Sequence, residues 1–117
     1  MIVCGGYDRG ECLSAVEMFD FETNSWSSMK PMITKRGRFG VAKVIKNGAE
    51  TLYAVAGSSG QMEESSVEKF DAHGNWTNIA NLPVAMSYIG KSTNITLTNK
   101  DDIRCIIQNM VLVKSNL

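Results

Sequence analysis

Residues associated with catalysis and metal binding are scarce in this 117-residue sequence, which has three cysteines, two prolines and one histidine. Cys4, Cys12 and Cys105 form no Cys-x-x-Cys pair, a pattern that argues against a zinc site and against a disulfide framework. His73 stands next to Gly74 in a predicted turn, and no serine, histidine and aspartate arrangement suggests itself. The sequence therefore predicts no enzyme activity, no catalytic residues, no bound metal and no cofactor.

An excess of charge of either sign is also missing, since twelve Lys and Arg residues balance twelve Asp and Glu residues. A neutral chain has no overall field that would draw it to nucleic acid or to a membrane surface. No apolar run approaches the length of a transmembrane helix, and Met1 leads into Ile-Val-Cys-Gly-Gly without a positively charged leader. With 44% hydrophobic and 21% charged residues, we expect a globular cytoplasmic protein without nucleic-acid or membrane partners.

An internal repeat dominates what the sequence does contain. The stretch 2–26 holds a β-branched run ending in two glycines, a polar loop, a second apolar run, a tight turn and a tryptophan, and 53–76 has the same layout. A period of this length is characteristic of repeat architectures. Three matches lie 51 positions apart and the tryptophans lie 50 apart: Gly6 with Gly57, Val16-Glu17 with Val67-Glu68, Phe19-Asp20 with Phe70-Asp71, and Trp26 with Trp76.

Short strands joined by turns are the predicted elements of each repeat. Apolar runs that stop at glycine predict buried strands, and clusters of Asp, Asn, Ser and Gly between them predict turns. Asn47-Gly48 is a strong hairpin signal because both residues accept a positive φ at little cost. No helical period is present, and four short antiparallel strands at a period near 50 residues indicate a β-propeller blade. The predicted strands fall within 2–6, 15–19, 25–29, 38–45, 52–56, 67–70, 76–79 and 92–98, with further strands at 103–107 and 110–113 in the tail.

These motifs resemble the kelch repeat, and they look closest to kelch-like proteins in which a propeller follows BTB and BACK domains. The resemblance rests on Gly5-Gly6, on the run from Val16 to Asp20, and on Thr23-Asn24-Ser25-Trp26. Met29-Lys30-Pro31-Met32, which leads to Arg36, completes the pattern. The combination is specific, whereas a lone pair of glycines would not be.

The resemblance implies an all-β fold built from kelch-type β-propeller blades of four antiparallel strands. We predict a partial blade with strands two to four at 1–32, a complete blade at 33–83, and a degenerate partial third blade at 84–117. In the second copy Ala56 replaces the first glycine of the pair, and a third pair is absent. Since closed propellers have four to eight blades, we expect an incomplete propeller that is a fragment of a longer protein.

In kelch-like proteins, loops on one face of the propeller recognise substrate peptides, and the resemblance implies such a surface here. The corresponding loops are 7–13, 30–38, 58–65 and 81–88. Arginine suits this role because its planar fork binds carboxylates bidentately, and Tyr and Arg are enriched at binding hot spots. The predicted protein-binding residues are Arg9, Arg36, Arg38, Ser58, Ser59, Gln61 and Tyr88.

A basic stretch overlaps these loops, with six basic residues and no acidic residue between Thr23 and Ala49. One interpretation is a basic binding surface. The other is a solvated surface that neighbouring acidic residues such as Asp8, Glu63 and Glu64 neutralise. The sequence alone favours neither.

The resemblance implies a non-catalytic module that binds a protein partner. The first hypothesis is the substrate-recognition part of a cullin-type ubiquitin ligase adaptor, in which a BTB segment contacts the ligase. The alternative is an actin-binding cytoskeletal protein, since kelch proteins of that kind also exist. A kelch-fold oxidase is the third hypothesis, and a single histidine argues against the copper site that it would need.

Overall fold

The computed structural model describes residues 1–89 and the backbone of the strand 92–96, and this part of the chain consists of strands, turns and loops with no helix. Ten strands fall into a three-stranded sheet, a five-stranded sheet and a small hairpin. The all-β prediction is confirmed. The strands are β1 Ile2–Cys4, β2 Tyr7–Asp8, β3 Glu11–Cys12, β4 Val16–Asp20, β5 Ser25–Met29, β6 Gly40–Lys46, β7 Ala49–Val55, β8 Ser66–Phe70, β9 Trp76–Asn81 and β10 Ser92–Thr96.

The first sheet has the antiparallel order β1-β4-β5 and corresponds to the predicted partial blade. The segment that follows β1 was predicted to be a polar loop, but it contains the hairpin β2-β3. Arg9 and Gly10 form its two-residue turn with φ values of 46° and 95°. Two consecutive positive φ values match the right-handed twist of a hairpin, which explains why strands form in so polar a segment.

The second sheet has the order β10-β6-β7-β8-β9. Its strands β6 to β9 form a four-stranded antiparallel blade. Asn47 and Gly48 join β6 to β7 with φ values of 50° and 77°, as the sequence predicts for this turn. Strand β10 pairs in parallel with β6, with Ser92 opposite Val41. This strand therefore joins the sheet of the second blade. Of the predicted third blade, residues 84–89 form no strand, and the predicted strands at 103–107 and 110–113 lie outside the described residues.

Both repeats use the same backbone hydrogen bonds where the glycine pair ends. The amide of Gly6 donates to the carbonyl of Arg36, and the amide of Gly57 donates to that of Met86, both at 2.8 Å. Ala56 keeps the left-handed φ of Gly5, at 56° against 58°. The repeat read from the sequence is therefore a repeat of backbone conformation, even where alanine replaces glycine.

A tight turn at the outer end of the second blade is organised by one carboxylate. Oδ1 of Asp71 accepts hydrogen bonds from the amides of Asn75 and His73, both at 2.9 Å. These bonds hold the pKa of Asp71 below its ordinary value, because they favour the charged form. His73 is exposed in this turn, as expected for a solvated turn residue.

The two sheets pack on each other through a shared apolar cluster. Val16 and Met32 come from the first repeat, and Ala54 and Trp76 come from the second. The indole Nε1 of Trp76 donates to the carbonyl of Lys30 at 3.0 Å, so the ring is fixed between the blades. Trp76 thus fills the gap between the two blades.

Trp26 occupies the equivalent position in the first repeat but is 53% exposed. Its ring contacts Phe19, with 5.0 Å between ring centroids, and otherwise faces outward. The face of the first sheet that carries Trp26 is therefore exposed, whereas the equivalent face of the second sheet is buried.

Replacing Trp76 with phenylalanine is expected to lower the free energy of unfolding by about 1 to 2 kcal/mol. The phenyl ring cannot donate to the Lys30 carbonyl and leaves part of the volume between the blades unfilled. Urea denaturation followed by circular dichroism measures the change. Trp26→Phe is the matched control, with an expected change below about 0.5 kcal/mol because that ring is mostly exposed. Equal losses in both variants would contradict the interpretation that Trp76 stabilises the contact between the blades.

Candidate protein-binding surface

The loops that join the two blades meet at one cavity. Ser58 and Gly37 exchange two backbone hydrogen bonds of 2.8 Å, which tie the loop after β7 to the loop after β5. A cavity of about 160 Å³ opens beside this bridge. Its lining residues are Tyr7, Cys12, Gly37, Arg38, Ser58 and Gly60. Two of the predicted binding residues, Arg38 and Ser58, are among them.

Arg38 and Tyr88 form the most distinctive contact of this region. The guanidinium carbon of Arg38 lies 4.6 Å from the centroid of the Tyr88 ring, within cation–π range. Both residues have left-handed backbones, with φ values of 54° and 62°, and both side chains are exposed. They occupy the same position in successive repeats, so the repeated loop conformation stacks a cation on an aromatic ring.

The two predicted serines and the glutamine lie in the loop between β7 and β8. Ser58 Oγ accepts a hydrogen bond from the amide of Gly60 at 3.2 Å, and the amide of Ser59 donates to the carbonyl of Met62 at 3.0 Å. Gln61 is exposed at the tip. Ser58 thus reaches the cavity, whereas Ser59 and Gln61 lie beside it without lining it.

Arg9 lies at the turn of the β2-β3 hairpin and does not line the cavity. Its side chain is almost fully solvated and its Nε is 3.9 Å from Oδ1 of Asp8. An exposed pair of this kind restrains a side chain weakly. Arg9 is therefore exposed beside these loops, and its contact with a partner stays a prediction.

Arg36 does not belong to this surface, and its prediction as a contact residue is corrected. Its side chain is completely buried, and its Nη2 lies 2.8 Å from Oε1 of Glu68, which is buried as well. Nη1 donates to the carbonyls of Ala56 and Ser66 at 2.7 and 3.0 Å. A fully buried charge needs this number of partners, and a guanidinium so enclosed cannot reach a ligand.

Glu68 joins the two blades through the same network. It also accepts hydrogen bonds from the amides of Ile33 at 2.7 Å and Thr34 at 2.9 Å. One carboxylate in β8 thereby fixes the loop that leaves the first blade. In the sequence, Glu68 is recognisable only as part of a repeated strand motif. The recurrence of a glutamate within an apolar run, at positions 17 and 68, is nevertheless a pattern that can indicate a buried carboxylate with a charged partner.

Several lysines of the basic stretch pair with nearby acidic or polar side chains. Lys35 lies 3.5 Å from Glu11, Lys43 lies 2.5 Å from Glu50, and Lys30 donates to Asn75 at 2.6 Å. Within residues 1–89, the guanidinium of Arg38 has no carboxylate within 4.0 Å. Local pairing therefore accounts for much of the stretch, and Arg38 is the exposed cation left beside the cavity.

Tyr7 lines the cavity but is not among the binding residues predicted from the sequence. It is 67% exposed and reaches the cavity from the β2-β3 hairpin. The repeat contained the necessary signal, because Tyr7 lies 51 positions before Ser58 and therefore occupies the same place in its own repeat. Tyr7 and Ser58, which occupy equivalent positions in the two repeats, therefore both line the cavity.

Groups suited to metal chemistry do not converge in the described part of the chain. Among those residues, no three His, Cys, Asp or Glu side chains are arranged to hold a metal ion. Cys4 and Cys12 are both free thiols, and burial raises the pKa of Cys4. Within the same residues, no helix has the length and apolar character needed to cross a membrane.

A three-stranded antiparallel sheet packs against a four-stranded antiparallel blade, with Trp76 between them, and this arrangement is that of an incomplete kelch-type β-propeller. Comparison with known families agrees, since residues 1–33 match the Kelch motif. Residues 1–33 therefore carry a kelch motif. Kelch repeats generally bind protein partners, and the match points to a binding module rather than an enzyme.

Curated relatives match a longer stretch of the chain. The Influenza virus NS1A-binding protein homologs of Xenopus laevis and Mus musculus are each 42% identical over 66 residues, and the human Influenza virus NS1A-binding protein is 41% identical over 66. Each match covers 56% of this chain and 10% of the relative. The matched stretch thus spans about a tenth of the length of the relatives.

Proposed function

We propose that this kelch segment captures an acidic segment of a protein partner on the loop surface, defined as Tyr7, Arg9, Arg38, Ser58, Ser59, Gln61 and Tyr88. The observation that carries the proposal is Arg38, an exposed arginine beside a cavity, stacked on Tyr88 and without a carboxylate neighbour among residues 1–89. Stacking on the ring preorganises the guanidinium, so less side-chain entropy is lost when it binds a carboxylate.

The geometry of the cavity supports a short peptide group rather than a large ligand. About 160 Å³ holds one or two side chains, and the cavity walls combine the Tyr7 ring with the Ser58 hydroxyl. A carboxylate could accept hydrogen bonds from Arg38 and Ser58 while its aliphatic stem contacts Tyr7. The expected ligand is therefore an extended segment with one Glu or Asp at the cavity.

The experiment uses an array of Glu- and Asp-containing decapeptides, each paired with its Gln or Asn counterpart, and probes it with the purified chain. We expect acidic peptides to be retained over their amide counterparts, and Arg38→Gln to reduce that preference at least about tenfold because a charged hydrogen bond is lost. Lys43→Gln is the matched control, since it removes one positive charge from β6, outside the cavity lining. Equal retention by Arg38→Gln and the native chain would contradict the proposal.

At the level of the whole protein, we propose substrate recognition for a cullin-type ubiquitin ligase in the cytoplasm, and the free thiols Cys4 and Cys12 are compatible with a reducing compartment. The resemblance to kelch-like proteins supports this proposal. The actin-binding alternative predicts that the chain sediments with filamentous actin, and that Arg38→Gln weakens this interaction. Sedimentation with actin and no retention of acidic peptides would favour the cytoskeletal role.

A further inference from the structure

Gly37 lines the cavity, and the second repeat has Ser87 at the same position, 50 residues later. The backbone hydrogen bonds beside the two residues correspond: the amide of Arg36 donates to the carbonyl of Leu13 at 2.9 Å, and the amide of Met86 donates to that of Glu64 at 3.1 Å. The same backbone framework therefore holds a glycine in one repeat and a serine in the other.

The residue beside Gly37 also differs between the repeats. Cys12 pairs with Tyr7 across the β2-β3 hairpin, and Glu63 forms the equivalent bridge with Ser58. A Cβ built on Gly37 would lie 3.1 Å from Sγ of Cys12, so the thiol stands directly beside the glycine. Cysteine and glycine in the first repeat thus correspond to glutamate and serine in the second.

The second repeat fills this position with a carboxylate of its own. Oγ of Ser87 donates to Oε1 of Glu63 at 2.7 Å, and Ser87 is almost fully buried. In the first repeat, Cys12 and Gly37 have neither a carboxylate nor a hydroxyl, and both line the cavity instead. The cavity therefore lies where the second repeat holds its own acidic side chain.

The lining residues of the cavity divide into a floor and a mouth. Cys12 and Gly37 are buried and form the floor, whereas Tyr7 and Arg38 are exposed and form the mouth. A partner side chain that reaches the floor must pass the mouth. Glutamate extends one methylene further than aspartate and is better suited to that depth.

We propose that Gly37 and Cys12 are the specificity-determining residues of the loop surface and that they admit a glutamate side chain of the partner. Its carboxylate takes the position that Glu63 has in the second repeat, within the cavity that Arg38 and Ser58 also line. The proposal rests on the peptide-binding function proposed above. It adds which residues set the size of the ligand group and which of the two acidic side chains is preferred.

A side chain at position 37 would close the floor. The Cβ would be closer to Sγ of Cys12 than ordinary van der Waals contact allows, and Cys12 is buried, so it has little room to move. Gly37 does not have the left-handed φ that would strain an L residue. Substitutions at this position therefore change the space in the cavity without imposing backbone strain.

The test compares decapeptides that carry one Glu or one Asp in otherwise identical sequences. We expect the native chain to retain the Glu peptide about tenfold better, and Gly37→Ala to remove that preference, since one methylene in a pocket has an effect of this size. Adding Cys12→Ala to Gly37→Ala is the matched control, because it removes Sγ but keeps the changed backbone, and it should restore the preference for Glu. An undiminished preference in Gly37→Ala, or a loss that Cys12→Ala does not restore, would overturn the proposal.

A second measurement needs no peptide and separates this proposal from the peptide-binding function. Iodoacetamide alkylation of Cys12 is followed by mass spectrometry in the native chain and in Gly37→Ser, with Cys4, which lies outside the cavity lining, as the internal reference. Because a thiol reacts only where the reagent reaches it, Gly37→Ser should slow alkylation of Cys12 severalfold and leave Cys4 unchanged. An unchanged rate at Cys12 would overturn the role of Gly37 even if acidic peptides bind. Slowed alkylation in Gly37→Ser, together with no retention of acidic peptides by the native chain, would instead overturn the choice of ligand.

Discussion

Replacing Arg36 with alanine is expected to lower the free energy of unfolding by about 3 to 5 kcal/mol. The substitution leaves the carboxylate of Glu68 buried without its cation, and it removes the donors to the Ala56 and Ser66 carbonyls. Losing one partner of a buried ion pair is costly for this reason. Urea denaturation monitored by circular dichroism gives the value, and a loss of this size is comparable to the whole stability of many small domains.

Two further variants separate the buried charge from other effects. Lys35→Ala removes the neighbouring cation, whose exposed pair with Glu11 should contribute less than about 1 kcal/mol. Replacing both partners, as Arg36→Met with Glu68→Leu, should recover much of the loss because no unpaired charge remains buried. If Arg36→Ala cost no more than Lys35→Ala, the ion pair would not hold the blades together.

The second large effect is expected for Gly57→Ala, at about 3 kcal/mol or more. A Cβ at this position would lie 2.5 Å from Cβ of Phe39 and 2.7 Å from the carbonyl oxygen of Gly37, so the segment before β6 would have to move away from the end of β7. The φ of 98° also strains any L side chain. Overpacking and strain together account for the expected loss.

Gly6→Ala is the matched control for this glycine. Its φ of 108° imposes similar backbone strain, but a Cβ there would meet no atom within 4 Å. We expect a loss of about 1 to 3 kcal/mol from strain alone. The difference between the two variants, measured in urea, therefore reports the close packing of Gly57 against residues 37–39, and equal losses would show that this packing contributes nothing.

Most of the fold could be predicted from the sequence because its determinants are local. Apolar runs ending in glycine, the Asn47-Gly48 turn and the spacing of the tryptophans indicate strands and turns within each repeat. The hairpin β2-β3 was missed because its residues are polar, and its formation depends on the positive φ values of Arg9 and Gly10. Left-handed arginine is uncommon, so no sequence pattern indicated it.

The candidate site could be predicted only in part, because burial depends on contacts distant in sequence. Arg36 and Arg38 are two positions apart in a basic stretch, yet one is completely buried and the other is exposed beside the cavity. What separates them is Glu68, 32 residues further along the chain. Charged residues are seldom fully buried, so a surface role was the reasonable expectation for both arginines.

The parallel pairing of β10 with β6 has a consequence for the order of folding. Strands β6 and β7 are joined by a two-residue turn and can form a hairpin within microseconds. Strand β10 begins 51 positions after the residue it faces in β6, so this pairing closes a long loop and should come late. Before β10 pairs with β6, the edge of β6 has unpaired backbone groups that can pair with other chains. Lys43 and Lys46 lie on that strand, and charged residues at a temporarily open edge oppose aggregation during synthesis.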